Sequence, residues 1–283
     1  MGYSNLSDLL KDAASVGSLG AAVVAREIDE SGESRAVIMG RLFAALDVME
    51  AAIDAGLAGD ARSRSGLTGG DARRVAESQP VVSDEFAEIV AAALAVAEVN
   101  ASMGRVVAAP TGGASGVLPA VMLKTAERLG SDRESVALAL AAAGGIGGII
   151  AAKASLSGAA SGCQAEIGSG AAMAAAAAVE LLGGSPEQAG HAASLALQGQ
   201  MGLVCDPVGG LVEVPCVARN ATGAAVALAA AQMAMAGVSF PIPFDEVAAA
   251  MGAVGKSLPP SLRETALGGL AVTPTGKRLA SGS

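Results

Sequence analysis

The chain has no tryptophan, one tyrosine and four phenylalanines, so aromatics make up only 2% of its 283 residues. Pleated sheets favour aromatic and β-branched side chains, and this scarcity speaks against an extensive sheet. Charge is also scarce, at 16% against about 25% in an average soluble domain. The net charge is −9, and no lysine and arginine cluster exists that could neutralise several phosphates, which argues against nucleic acid as a partner. The only histidine, His191, leaves a Ser-His-Asp arrangement with no other histidine to use. Asp8 stands where a secretory signal would place its apolar run, so a cytoplasmic protein is expected.

What is abundant is small. The chain carries 66 alanines and 38 glycines, and 52% of it is hydrophobic. That is too apolar for a disordered chain. It fits an all-α protein whose helices pack through small side chains. Residues 135–244 hold only seven charges, at Lys153, Glu166, Glu180, Glu187, Asp206, Glu213 and Arg219. A stretch so poor in charge belongs in the interior, and any charge within it is suspect. Two uncharged runs there, 135–152 and 220–244, are long enough to span a bilayer. Both are richer in alanine and glycine than in leucine and isoleucine, and neither is flanked by a basic cluster or an aromatic belt. Buried core helices are the expected reading, with no membrane partner.

One helical domain over 1–283 is therefore expected, with glycine-rich loops near 60–72, 108–117, 155–168 and 202–218. Ser185-Pro186-Glu187-Gln188 reads as an N-cap, a first-turn proline and a capping box. Pro119 marks the first turn of a helix that Gly130 stops. Gly32 separates two early helices, and Asp245 and Glu246 after Pro243 open a late one.

Three cysteines, Cys163, Cys205 and Cys216, lie in loop-like surroundings within the charge-poor centre. Their odd number, without a secretory signal, argues against a disulfide framework. Three thiolates are one too few for an all-cysteine zinc site. They suit a [4Fe–4S] cluster with one iron left open, which can act as a Lewis acid on a substrate oxygen. The alternative is three small buried hydrophobes.

Further candidates surround them. A-P-T-G-G-A-S-G at 109–116 contains Thr111, Gly112 and Ser115 and feeds a helix start, an arrangement that suits a small carboxylate; an ordinary tight turn reads equally well. S-R-S-G-L-T-G-G-D at 63–71 packs Ser63, Ser65 and Thr68 around Arg64, whose fork could grip a carboxylate, or it is a surface linker. K-A-S-L-S-G-A at 153–159 offers Lys153 with Ser155 and Ser157. A desolvated lysine can serve as a base, or it snorkels from a helix end.

The strings S-G-A-A-S-G-C-Q-A-E-I-G (157–168), G-L-V-C-D-P-V-G-G-L-V-E-V-P-C-V-A-R-N-A (202–221) and R-E-T-A-L-G-G-L-A-V-T-P-T-G (263–276) resemble the iron–sulfur-dependent L-serine dehydratases. So do residues 63–71 and 109–122, and the likeness runs from about residue 15 to 279. Lys153 departs from the family pattern, where asparagine is expected, and Gln198-Gly199-Gln200 replaces a more polar run. The resemblance implies the α chain of a two-chain enzyme, with a separate β chain, a homo-oligomeric assembly, or both. It also implies that Cys163, Cys205 and Cys216 ligate a [4Fe–4S] cluster and that L-serine is deaminated to pyruvate and ammonia without pyridoxal phosphate. Arg64 with Ser63, Ser65, Thr68, Thr111, Gly112 and Ser115 would hold the amino-acid carboxylate, and Lys153, Ser155 or Ser157 would lie near the base. Two rivals remain: a sister cluster enzyme for L-cysteine or another β-hydroxy amino acid, and a cluster-free helical binding subunit.

Overall fold

In the computed structural model, which describes residues 2–282, local sequence signals place the helix ends. Asn5 caps α1 (Leu6–Val16) and Ser18 caps α2 (Leu19–Ser31), which closes on left-handed Gly32. Then come α3 (Arg35–Leu57), α4 (Asp71–Ala76) and α5 (Asp84–Ala101). Pro119 lies inside the first turn of α6 (Val117–Leu129), which ends on left-handed Gly130. The charge-poor centre supplies α7 (Arg133–Lys153), α8 (Gly158–Ser161), α9 (Ile167–Leu181), α10 (Pro186–Gly199) and α11 (Cys216–Met235). Ser185 and Gln188 form the capping box of α10. Two helices, α12 (Phe244–Ser257) and α13 (Pro274–Ser281), complete the set. The described residues contain no strand, only an isolated bridge between Cys205 and Arg263. The fold is all-α.

The core is built around α9. Residues 167–179 of this helix are all buried, and α6, α7, α10 and α11 pack around it. Alanine and glycine set how closely the helices approach. A Cβ on Gly20 would fall 2.1 Å from the Leu138 carbonyl oxygen, and one on Gly56 would fall 2.3 Å from that of Ala95. Helix pairs α2–α7 and α3–α5 thus meet backbone to backbone.

The four glycines of α7 would weaken an isolated helix. Here α7 runs unbroken, because tertiary contact outweighs propensity: Val23 and Met173 fill the space that side chains at Gly145 and Gly147 would need. By length and apolarity α7 could cross a bilayer, but most of it is buried inside the protein.

Candidate active site

Cys163 opens a short 3-10 turn after Gly162, whose φ of +79° and closeness to the Leu203 carbonyl exclude a side chain. Gln164 locks this turn to the next loop. Its backbone N–H donates to Leu203 at 2.9 Å, and its side-chain oxygen accepts from Gly202 at 2.8 Å. Cys205 is held from the other side, its N–H donating to Leu262 at 2.9 Å and its carbonyl accepting from Glu264 at 2.8 Å. Cys216 is the first residue of α11 rather than a loop residue. All three thiols are buried and free.

Cys205 lies within hydrogen-bonding reach of Cys163, and the Arg219 guanidinium is near both Cys163 and Cys216. Donation from Cys205, helped by Arg219, holds the Cys163 thiol below its ordinary value although burial opposes it. Cys205 moves upward, through that same shared bond and burial. Burial pushes Cys216 up to about 12. Arg219 is anchored by Asp206 at 2.8 Å and by the Val204 carbonyl at 2.9 Å. Asp206 in turn accepts from the Leu270 N–H at 2.7 Å, so it orients the loop.

Glu166 completes the cluster. A Cβ on Gly158 would sit 2.6 Å from Glu166 Oε2 and 3.2 Å from Cys205 Sγ, so glycine there leaves carboxylate and thiol facing one small space. Thr111 Oγ1 donates to Glu166 Oε1 at 2.7 Å. Burial raises the Glu166 carboxyl above its ordinary value, the Thr111 bond opposes this, and the nearby charge of Glu264 adds to it. Asn220 ties the loop carrying Thr111 to α11, accepting from Gly116 N–H at 2.9 Å and donating to the carbonyls of Gly113 and Cys216.

The remaining expected residues divide. Ser65 joins the 60–72 loop to the cysteine loop, its N–H donating to buried Glu213 at 3.1 Å and its hydroxyl to the same carboxylate. Ser63 and Thr68 bond each other within that loop. The hydroxyls of Thr68 and Ser115 are buried with no partner. Gly112 faces the Asn100 side-chain oxygen, 3.1 Å from where its Cβ would be. Arg64 is exposed. Lys153 Nζ pairs with Asp245 on α12 at 3.6 Å, and Ser155 accepts from the Ser157 N–H at 3.1 Å. Glu166, Arg219, Asn220 and Glu264 were not among the expected site residues. The signal for the first two was present, since both are charges in the charge-poor centre.

Among the described residues, no three His, Cys, Asp or Glu side chains gather tightly enough to hold a single metal ion. A cluster spreads its thiolate ligands over separate irons, and three buried free thiols beside a charge-balancing arginine fit that larger group.

Fold and site together define a helical protein with three buried free thiols and one desolvated carboxylate beside them. More particularly, the chain belongs to the serine dehydratase alpha chain family, whose profile matches residues 17–271. It is 46% identical over 261 residues to the "Probable L-serine dehydratase, alpha chain" of Bacillus subtilis (strain 168), covering 91% of this chain and 87% of that one. It is 44% identical, also over 261 residues, to the "L-serine dehydratase, alpha chain" of Peptoniphilus asaccharolyticus, covering 91% and 89%. The longer "L-serine dehydratase" of Streptomyces coelicolor is 48% identical over 182 residues, 64% of this chain and 40% of that protein.

Proposed function

We propose that this chain is the catalytic α subunit of an L-serine dehydratase, acting with a separate β chain and carrying a [4Fe–4S] cluster on Cys163, Cys205 and Cys216. The observation that carries the reading is the meeting of three buried thiols with Arg219 and Glu166. The relatives' names supply the substrate and the two-chain organisation.

When bound, such a cluster supplies an open iron as a Lewis acid for the substrate hydroxyl. The chain's own residues do the rest. Arg219 balances thiolate charge in a site where unpaired charge is costly. Thr111 fixes Glu166 through Oε1 and leaves Oε2 toward the space beside Gly158. Glu166 Oε2 takes the Cα proton, and burial suits it to that task by raising its basicity. Its setting favours it over Lys153, whose ammonium is engaged by Asp245, and over Ser155 and Ser157, whose hydroxyls are weak bases at their free pKa. Loss of the Cα proton and of hydroxide as water leaves aminoacrylate, which hydrolyses to pyruvate and ammonia.

The test is anaerobic reconstitution with iron and sulfide, with and without a co-expressed β chain, followed by iron analysis and a pyruvate assay. The expected result is iron-dependent pyruvate formation that Cys205→Ser abolishes together with iron binding. Full activity in the iron-free protein, or an iron-loaded complex inert toward L-serine, overturns the reading.

A further inference from the structure

The 262–276 segment straps across the cysteine site and carries an arginine with little to bind. Arg263 pairs its backbone with Cys205 in the bridge. Its guanidinium reaches α8, where Nη1 is 3.4 Å from the Ala160 carbonyl. Nε is buried with no partner, and no ion pair engages the side chain among the described residues. An orphaned guanidinium nitrogen is costly, and its fork matches a carboxylate.

Its position suits an amino-acid ligand. Helix α8 is one turn long, about 6 Å at the usual rise per residue. Glu166 Oε2 and Cys205 Sγ face its first residue, Gly158, while Arg263 meets its third. The residue after Arg263, Glu264, has a left-handed backbone with φ of +62°, and Ala266 follows with φ of +56°. Non-glycine residues hold such angles only where the surroundings impose them, and they concentrate at ligand clamps. The strap thereby brings Glu264 close enough to Glu166 for their charges to interact, with no cation paired to either among the described residues. A cation on one side and carboxylates on the other complement a zwitterion.

We propose that Arg263 is the residue that binds the substrate's α-carboxylate, with the ammonium turned toward Glu264. This rests on the dehydratase reading for the identity of the substrate, and it replaces Arg64, which is exposed, in that role. Arg263 would fix the amino acid so that its Cα–H lies toward Glu166 and its β-hydroxyl toward the thiols.

The experiment uses the reconstituted complex and compares L-serine with L-serinamide, in which a neutral amide replaces the carboxylate, at a pH low enough that both ammonium groups are protonated. It reads thermal stabilisation by each ligand as well as KM and kcat. Arg263→Gln should raise the KM for L-serine by about 10- to 150-fold, the factor for one charge-assisted hydrogen bond, and erase the preference for acid over amide. Arg263→Lys should keep the charge and recover only part of the affinity. Unchanged iron content and cluster absorbance in both variants would show that the strap still folds over the site, and iron loss in Gln alone would leave Lys to decide. If Arg263→Gln keeps the wild-type preference or, where Gln loses iron, Arg263→Lys keeps the full wild-type affinity for L-serine, the assignment is overturned. It is equally overturned if Arg64→Gln alone removes that preference. A wild-type complex that makes no pyruvate but prefers amino acids to their amides, with the preference lost in Arg263→Gln, would sink the dehydratase reading and leave the carboxylate site standing.

Discussion

Arg219 donates to Asp206 Oδ1 at 2.8 Å, and the same guanidinium faces Cys163. The pair is well buried, with side-chain exposures of 15% and 3%. Removing one member of such a pair typically costs about 3–5 kcal/mol, while replacing both with apolar groups costs far less. Asp206→Ala should therefore lower the urea midpoint of the apo protein strongly, and Asp206→Ala with Arg219→Met should be clearly less damaged than the two single effects added. Strict additivity in that cycle would mean the two side chains are not coupled.

A second buried carboxylate gives a pH signature. Glu98 accepts the N–H groups of Gly70, Asp71 and Ala72 at 3.0, 2.7 and 3.3 Å and so caps α4. Burial raises its carboxyl above the ordinary 4.5, outweighing these three bonds. A raised folded-state value means that the stabilising contribution belongs to the protonated form. It is fully present below 4.5 and is lost as pH climbs through the folded-state value. Compared with Glu98→Gln, the wild type should lose Tm over that interval and run parallel above it. A gap that widens in favour of the wild type with rising pH would contradict this.

The small-residue core makes an opposed pair of predictions. Gly56→Ala forces a methyl into the Ala95 backbone, 2.3 Å from its carbonyl oxygen, and overpacking of this kind costs about 1–3 kcal/mol or more. Gly144, on the exposed side of α7, has nothing within 4 Å of a built Cβ. Gly144→Ala should instead stabilise by about 0.8–1 kcal/mol through helix propensity. Denaturant melts of both variants check the contrast, and equal effects would mean that composition rather than close approach governs these positions.

Much of this was legible along the chain because it is local. Ser185 and Gln188 are three residues apart, so their capping box can be read directly, and the helical class follows from alanine with few aromatics. The charge-poor centre was also informative at the level of single residues. Glu180 caps α2, Glu213 holds Ser65 from 148 residues away, and Asp206 and Arg219 pair. What the sequence conceals is which partner each charge finds. Lys153 and Arg64 have the right chemistry for a site, yet one is turned to α12 and the other to the surface. Arg263 lies in a motif distant from the cysteines in sequence, and the fold brings it to them through the bridge to Cys205 and its contact with α8.

That distinction bears most directly on the proton acceptor. Glu166→Gln keeps the shape of the side chain and can still accept the Thr111 hydroxyl, but it cannot take a proton. The loss of a general base costs about 10²- to 10⁴-fold, so kcat should fall by that factor while iron content, cluster absorbance and L-serine binding persist. Lys153→Met breaks only the contact with Asp245 and should act chiefly on stability. Assayed together in the reconstituted complex, the two variants separate the candidates. A Glu166→Gln enzyme that retains its kcat, beside a Lys153→Met enzyme that loses it, would return the base to the end of α7.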